Sequence, residues 1–346
     1  MAIRIGLMGF GRIGRNIFRA LHDCSDIEVG AISDTADPEA LTYLLRYDTI
    51  FGPFPDEVRY KDGFLYTSGW EFPLIQGKAP GDVCWRDYAV DYVVQATGQS
   101  ISRDESARHL AEGARRVILC APPSDRADAV VVYGVNHETI RPEHVIVSNA
   151  SCTAHCAAPV LHTLCNAFPV ENAHFTVVHG YTNVQRLADV PSHELRNSRA
   201  AAENIVPGET NAASVISSVL PALSGRVHAA ALRVPVANGS LVDMTIWFSA
   251  DVTRDRINEV LRSGASGPLR GVMAYSEDPI VSSDIVANPH SAIVDSLATM
   301  EVGSRCAKII AWFDNSWAYA QRAIDLTAHF AGQDLGGMPS DTKGGA

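Results

Sequence analysis

One cysteine of this sequence lies where a thiol nucleophile would be expected. Cys152 follows Val145–Val147, a predicted strand end, and precedes Ala157–Phe168, whose apolar spacing predicts a helix. Cys152 is therefore expected in the first helical turn, where unpaired N–H groups and the helix dipole favour negative charge. We expect a stabilised thiolate, the nucleophilic form of cysteine. The alternative is a buried structural thiol, the usual role of an isolated cysteine.

A histidine further along the chain could act as the base for this thiol. His179 follows the predicted strand Ala173–Val178 and begins a long irregular stretch that reaches about Val206. Imidazole titrates near neutral pH, so His179 is the predicted partner of Cys152. So long a loop is usually functional or part of an interface. A surface or structural histidine is the alternative, because the chain contains 12 histidines.

A glycine-rich turn near the amino terminus predicts a dinucleotide site. The strand Ile3–Met8 leads into it, and a helical pattern follows. Its first glycine permits a tight turn, its second lets a pyrophosphate approach the backbone, and its third allows close helix–strand packing. The predicted cofactor-binding residues of this turn are Gly9, Phe10, Gly11, Arg12, Ile13 and Gly14.

Two further segments complete the predicted cofactor site. The strand Ile27–Ser33 ends at Asp34, whose carboxylate is placed to bind ribose hydroxyls and would repel a 2′-phosphate. NAD is therefore favoured over NADP. The buried strand Tyr92–Ala96 ends at Thr97 and Gly98, a second place where the backbone can approach the cofactor.

The order of predicted elements indicates an α/β fold with two domains. Strands and helices alternate in the first half, which predicts a doubly wound parallel sheet. In the second half Val227–Val234 and Leu241–Phe248 have fewer helices near them, which predicts an α+β domain with a mixed or antiparallel sheet. We expect an NAD-binding Rossmann-like domain over residues 1–150 and a catalytic domain over 151–316 that includes the loop 180–206. A closing helix over 317–330 would pack back on the NAD domain, followed by a disordered tail over 331–346.

Composition excludes several functional classes. The 346 residues, 47% of them hydrophobic, suffice for about two domains with substantial cores. A net charge of −11 provides no electrostatic footprint for nucleic acid or an anionic membrane surface. No run of 18 apolar residues could span a membrane, and the amino terminus lacks the pattern of a signal peptide. The expected location is therefore cytoplasmic.

The cysteines predict neither disulfides nor a metal site. They number seven and are scattered, which is typical of reduced thiols. A zinc site built on Cys152, His155 and Cys156 would consume the predicted nucleophile, and no second cluster accompanies it. Cys156 lies one helical turn from Cys152 and is expected to be a buried thiol, although a disulfide under oxidation is the alternative.

From Gly6 to about Leu326 the chain resembles the phosphorylating glyceraldehyde-3-phosphate dehydrogenases. Ten short segments carry this resemblance in the same order along the chain. They are Gly9–Arg15, Tyr47–Thr49, Ala96–Gly98, Gly134–Asn136, Ser148–Thr153, His179–Asn183, Arg199–Ala201, Arg233–Pro235, Val281–Asp284 and Trp312–Asn315.

The resemblance implies a role for each matching residue. Cys152 would be the nucleophile and His179 the base, with Asn315 holding the nicotinamide carboxamide. Thr182 and Arg233 would bind the substrate phosphate. The residues that would bind the attacking inorganic phosphate are Ser151, Thr153 and Thr210, with Asn211 next to Thr210. Pro191 agrees with Asp34 in implying NAD. The family is homotetrameric, and the loop 180–206 would border a neighbour's cofactor.

The sequence also departs from the family pattern. Asn211 stands where the family usually has glycine, and Asn197 where a second arginine is common. His155 and Ser316 also differ from the usual residues, and His155 is expected to be a polar substitute or a participant in the phosphate site. These departures concern the phosphate step and the exact substrate more than the thioester chemistry.

Other segments resemble the sister erythrose-4-phosphate dehydrogenase, which acts on a four-carbon aldose phosphate. These are Ala36–Asp37, Leu44–Thr49, Val131–Asn136 and Pro289–Asp295. The favoured substrate is glyceraldehyde 3-phosphate, because Gly180–Thr182 follows the three-carbon pattern. Erythrose 4-phosphate is the alternative, and a non-catalytic NAD-binding protein is a third hypothesis.

Overall fold

The structure is a computed structural model that describes residues 2–22, 24–67, 69–183 and 185–334. The chain forms two compact units, the first comprising Met1–Tyr133, His137–Ala150 and Ala320–Ala346, and the second Gly134–Asn136 and Ser151–Tyr319. Within the described residues, no helix is long and apolar enough to cross a membrane.

The units differ from the expected division in two places. The segment Gly134–Asn136 belongs to the second unit, and the later boundary follows Tyr319 rather than residue 316. Gly134 has a φ of +86°, and a Cβ there would lie 3.1 Å from both Leu269 and Val272. The close packing of this glycine therefore ties its segment to the second unit.

A largely parallel sheet forms the centre of the first unit. Its strands run in the order β10-β11-β9-β8-β1-β2-β7-β6-β5, and every pair is parallel except β7–β6 and β6–β5. The strands are β1 (Ile3–Met8), β2 (Ile27–Ser33), β5 (Val58–Lys61), β6 (Phe64–Thr67), β7 (Trp70–Ile75), β8 (Tyr92–Gln95), β9 (Arg116–Leu119), β10 (Ala129–Val130) and β11 (Ile146–Ser148). The short strands β3 (Tyr47–Asp48) and β4 (Gly52–Pro53) form a separate pair.

Local sequence signals explain where the helices of the first unit begin. The helices are α1 (Arg12–Ala20), α2 (Pro38–Arg46) and α3 (Arg103–Ala111). Asp37 caps α2 by accepting a hydrogen bond from the N–H of Ala40, and Pro38 occupies the first turn. Ser102 and Glu105 form a reciprocal capping box at the start of α3.

A mixed sheet covered by helices forms the second unit. Its strand order is β13-β14-β12-β15-β18-β17-β16, with β12–β14 and β16–β17 parallel and the other pairs antiparallel. The strands are β12 (Val170–Gly180), β13 (Val206–Gly208), β14 (Val227–Val234), β15 (Ser240–Phe248), β16 (Met273–Ser276), β17 (Ala292–Glu301) and β18 (Cys306–Phe313). The helices are α4 (Cys152–Ala167), α5 (Ala212–Val219) and α6 (Arg254–Ser266). The predicted mixed sheet is confirmed.

The last helix, α7 (Trp317–Asp334), extends beyond the predicted end at residue 330. Its final residue, Asp334, binds two side chains of the sheet in the first unit: Arg116 by a bidentate ion pair and Tyr92 at 2.9 Å. Arg116 is almost fully buried, so a carboxylate at this position compensates an otherwise costly charge. The prediction of a tail beginning at residue 331 is therefore wrong for 331–334, and residues 335–346 lie outside the described part of the chain.

Candidate active site

Cys152 is the first residue of α4, as its sequence position predicts. Ser151 is the N-cap, and its hydroxyl accepts a hydrogen bond from the N–H of Ala154 at 3.2 Å. Ala150 has a φ of +47°, an uncommon left-handed conformation for a residue other than glycine. The chain therefore turns sharply from β11 into the helix, and the turn brings the thiol to the helix start.

His179 lies at the end of β12 with its imidazole directed at this thiol. The distance from Nε2 of His179 to Sγ of Cys152 is 3.7 Å. On the opposite side of the ring, Nδ1 lies 2.7 Å from the carbonyl oxygen of Gly180. A carbonyl oxygen can only accept, so Nδ1 carries the proton and the lone pair of a neutral ring lies on Nε2. This tautomer is the one that a base for Cys152 requires.

The electrostatic surroundings of Cys152 act in both directions. Burial raises the pKa of its thiol, against the lowering effects of the Arg233 guanidinium and of hydrogen bonds from Thr153. The net shift is upward, so the expectation of a thiolate stabilised by the helix start is wrong for this structure. Desolvation outweighs the helix terminus here because the charged form loses water. The thiol therefore needs His179 to take its proton.

The carbonyl oxygen of Gly180 joins the base to the predicted phosphate residue Arg233. Arg233 donates to this oxygen at 3.3 Å, so the same atom accepts from both His179 and Arg233. The two residues are also register partners in the parallel pair β12–β14. A Cβ on Gly180 would lie only 2.7 Å from the carbonyl oxygen of Val236. Only glycine fits this position without a shift of the backbone.

A second chain of hydrogen bonds leads from Gly180 to Asn315. The N–H of Gly180 donates to the hydroxyl of Ser240 at 3.2 Å, and that hydroxyl donates to Oδ1 of Asn315 at 3.1 Å. The oxygen of this amide is thus engaged by Ser240, which orients the Nδ2 donors away from it. Asp314, which accepts from the N–H of Trp317 at 2.7 Å, holds the backbone next to Asn315.

The residues predicted to bind inorganic phosphate lie at two helix starts of the second unit. Ser151 and Thr153 flank Cys152, and Thr153 is buried with its hydroxyl near the thiol. Thr210 and Asn211 precede α5, where Asn211 is the N-cap residue and makes no capping hydrogen bond with its side chain. The hydroxyl of Thr210 accepts from the N–H of Ala212 at 3.2 Å.

The glycine turn of the first unit has the shape that a dinucleotide pyrophosphate needs. A Cβ on Gly14 would lie 2.1 Å from the carbonyl oxygen of Gly9, and Gly9 has a φ of +99°. A Cβ on Gly11, the N-cap of α1, would meet nothing within 4 Å. The turn is therefore tight on the protein side and open on the other, and no side chain caps the helix start. These residues, with Arg12 and Ile13 opening the helix, fit NAD.

Asp34 and Thr97 lie beyond the carboxyl ends of β2 and β8, the two strands that flank β1 in this sheet. One carboxylate oxygen of Asp34 accepts from the N–H of Phe10 at 2.6 Å, and the other from the N–H of Ala36 at 2.9 Å. A carboxylate has about four lone-pair positions, so capacity for ribose hydroxyls remains. Thr97 is exposed beyond β8, next to Gly98, which has a φ of +73°.

The sequence did not predict two residues that position the site, Ser240 and Gln185. Ser240 begins a strand whose predicted start was Leu241, and only the sheet pairing brings it to Gly180 and Asn315. Gln185 accepts hydrogen bonds from Thr182, the other predicted phosphate residue. The spacing Thr182-x-x-Gln185 is a capping-box pattern and could have indicated this contact.

His155, one of the residues that depart from the family pattern, is almost fully buried. Its ring packs edge-on against Tyr319 with centroids 5.9 Å apart. Cys156 is also fully buried, with its sulfur 3.6 Å from the carbonyl oxygen of Ala311, and burial raises the pKa of its thiol. Within the described part of the chain, no cluster of three or more His, Cys, Asp or Glu residues could hold a metal ion.

Comparison with known proteins identifies the family. The model of the glyceraldehyde 3-phosphate dehydrogenase NAD binding domain matches residues 3–103, and the model of that family's C-terminal domain matches residues 151–315. The chain belongs to the glyceraldehyde-3-phosphate dehydrogenase family. The resemblance drawn from the motifs is thereby confirmed, as are the Rossmann-type fold of the first domain and its cofactor, NAD.

Curated relatives match nearly the whole chain. Glyceraldehyde-3-phosphate dehydrogenase 2 of Bacillus subtilis is 42% identical over 332 residues, which cover 96% of this chain and 97% of that protein. Glyceraldehyde-3-phosphate dehydrogenase of Geobacillus stearothermophilus is 40% identical over 336 residues, covering 97% of this chain and all of that protein. The same-named protein of Streptomyces coelicolor is 41% identical over 338 residues.

Proposed function

We propose that this protein is an NAD-dependent enzyme that oxidises and phosphorylates glyceraldehyde 3-phosphate to 1,3-bisphosphoglycerate. The relatives that match nearly its full length are named for the dehydrogenase activity. The observation that carries the proposal is the thiol–imidazole pair, in which Nε2 of His179 lies 3.7 Å from Sγ of Cys152. Such a pair supplies a nucleophile and its base in one place.

The chain's own residues account for the proposed proton transfers. Sγ of Cys152 adds to the aldehyde carbon while Nε2 of His179 takes the thiol proton and passes it to the carbonyl oxygen, and the product is a hemithioacetal. His179, after releasing its first proton, takes the hydroxyl proton of this adduct as the carbon becomes a thioester. Bound NAD supplies the hydride acceptor for this oxidation. Inorganic phosphate then attacks the thioester carbon, which releases the acyl phosphate and restores Cys152.

The remaining predicted residues receive binding roles in this proposal. Arg233 and Thr182 would bind the substrate phosphate. Ser151, Thr153 and Thr210, with Asn211, would bind the attacking phosphate, aided by backbone N–H groups at the start of α5. Support for the first role comes from the Arg233 guanidinium, which acts electrostatically on Cys152. Asn315 would bind the nicotinamide carboxamide through Nδ2.

A second candidate, oxidation of erythrose 4-phosphate, is favoured by two residues of the phosphate region. Asn211 places an exposed side chain at the N-cap of α5, and Asn197 is a short amide that receives a hydrogen bond from Gln185. Neither contributes a positive charge toward inorganic phosphate. A site that binds inorganic phosphate weakly suits an enzyme that hydrolyses its acyl intermediate.

The two candidates are separated by NADH formation with each aldose phosphate, with and without inorganic phosphate. We expect turnover of glyceraldehyde 3-phosphate that depends strongly on phosphate. Preference for erythrose 4-phosphate with weak phosphate dependence would assign the protein to the sister activity. Binding of NAD without turnover of either substrate would overturn the catalytic role of Cys152, and a Cys152→Ser variant provides the inactive reference.

The proposed enzyme is a cytoplasmic homotetramer, in keeping with the family. The loop 180–206 carries apolar side chains that are mostly exposed in the single chain, among them Leu187 at 84% and Leu195 at 82%. Exposed apolar side chains gathered on one loop are typical of a protein interface. Each such loop would then be covered by another copy of the chain.

A further inference from the structure

Thr182 and Gln185 form a closed ring of hydrogen bonds at the start of the long loop. The N–H of Gln185 donates to the carbonyl oxygen of Thr182 at 3.1 Å. In return, Oε1 of Gln185 accepts from the N–H of Thr182 at 2.9 Å and from its hydroxyl at 3.2 Å. Three bonds thus set both the backbone and the side-chain rotamer of Thr182.

The orientation of the Gln185 amide is determined from both ends. A backbone N–H can only donate, so the atom facing Thr182 must be the oxygen of the amide. Its nitrogen then faces the other way and donates to Oδ1 of Asn197 at 3.3 Å. Thr182, Gln185 and Asn197 are all partly buried, which limits competition from water.

We propose that Gln185 is a positioning residue for binding of the substrate phosphate and that Asn197 holds its amide in the required orientation. This inference rests on the proposed function, in which Thr182 binds that phosphate. The backbone N–H of Thr182 stays bonded to Gln185 while the hydroxyl rotates its proton toward the phosphate, because a charge-assisted hydrogen bond is stronger than a neutral one. Gln185 therefore keeps Thr182 in place without consuming its donor.

The neutrality of Gln185 is as important as its shape. Its Oε1 lies 3.2 Å from the hydroxyl oxygen that would donate to a phosphate dianion. A carboxylate in the same place would still accept from Thr182 but would repel the phosphate. Discrimination between a phosphorylated and an unphosphorylated aldehyde therefore depends on an uncharged acceptor at position 185.

The test compares glyceraldehyde 3-phosphate with glyceraldehyde, which has the same reacting group and no phosphate. In Gln185→Glu, KM for the phosphorylated substrate should rise at least about tenfold with little change in kcat, and added salt should reduce the effect. Gln185→Met, of similar size but without an acceptor, should raise KM for it by about three- to tenfold without the salt dependence. In both variants kcat/KM for glyceraldehyde should fall far less.

Four outcomes decide the matter. An equal loss for both aldehydes would show that Gln185 only supports the loop, and it would overturn the inference. Asn197→Ala should reproduce the Gln185→Met result more weakly, and no change there would refute the role of Asn197. Thr182→Val is the reference for the proposed function: if it leaves the preference for the phosphorylated aldehyde intact, the phosphate role of Thr182 fails and the inference fails with it. A lost preference in Thr182→Val with none lost in the Gln185 variants would refute the inference alone.

Discussion

At the scale of single residues, the chemistry depends on a thiol that its surroundings do not ionise. Burial raises the pKa of Cys152, and the positive charge of Arg233 only partly opposes this. The base beside it has its tautomer determined by the carbonyl oxygen of Gly180. Nucleophilicity at neutral pH should therefore come from proton transfer to His179, not from the helix terminus.

This division of roles predicts the pH dependence of alkylation at Cys152. The thiolate fraction falls tenfold for each unit of pH below the thiol pKa. Without the imidazole, the rate with iodoacetamide should therefore keep rising until the pH passes a pKa above the ordinary value. We expect Cys152 in His179→Asn to be alkylated at least about tenfold more slowly than in the wild type at pH 7. Its alkylation rate should still be rising at pH values where the wild-type rate has reached its plateau.

Mass spectrometry of the labelled peptides would check this prediction. Cys152→Ser should abolish the labelling that depends on His179. Cys156 is fully buried, with the pKa of its thiol raised, and should not be labelled in any variant. Identical pH profiles for the wild type and His179→Asn would show that His179 is not the base.

At the scale of elements, the connection from β1 to α1 contains one glycine that the packing of the fold requires and another that binding of the cofactor requires. Gly14 lies against the protein, because a Cβ there would be 2.1 Å from the carbonyl oxygen of Gly9. Gly11 lies in open space and has an extended backbone that alanine can adopt, with a φ of −68°. The same substitution should therefore have different consequences at the two glycines.

We expect Gly14→Ala to lower the Tm by several degrees, because the added methyl group would collide with the carbonyl oxygen of Gly9 and push α1 away from β1. Gly11→Ala should leave the Tm almost unchanged but weaken NAD binding by about tenfold or more, because its methyl group occupies the pyrophosphate path. Differential scanning fluorimetry and titration with NAD measure the two effects. Wild-type NAD affinity in a folded Gly11→Ala protein would contradict the placement of the pyrophosphate at this turn.

At the scale of the whole molecule, the long loop of the second unit carries large apolar side chains that are exposed in the single chain. Leu187, Leu195 and Ile205 are exposed at 84%, 82% and 66%. Burial of such side chains is favourable by about 1.5–3 kcal/mol each. This energy is available only when another chain covers the loop.

Sedimentation velocity should accordingly give a particle of four times the chain mass. Leu195→Asp should shift this equilibrium toward smaller species, because association would bury a charge without a partner. Trp70→Gln is the matched control, since Trp70 is 63% exposed but lies in the hairpin region of the first unit. A wild-type monomer at micromolar concentration would contradict the tetramer.

Much of the architecture follows from local patterns in the sequence. The strand Ile3–Met8 and the glycine turn after it, the helix at Cys152 and the strand that ends near His179 were predictable, because each rests on local periodicity and turn chemistry. The same holds for the cofactor, since each glycine of the turn has a steric reason that spacing alone reveals. These features need only residues that are near one another in the chain.

Tertiary structure alone decided the relations between residues far apart in sequence. The net direction of the Cys152 pKa shift is decided by desolvation on burial, which outweighs the lowering by hydrogen bonds at the helix start. Ser240 reaches both Gly180 and Asn315 only through the pairing of strands. The ion pair between Asp334 of α7 and the buried Arg116 likewise joins residues more than 200 positions apart. Burial and long-range hydrogen bonds are set by the packed chain, and no local pattern encodes them.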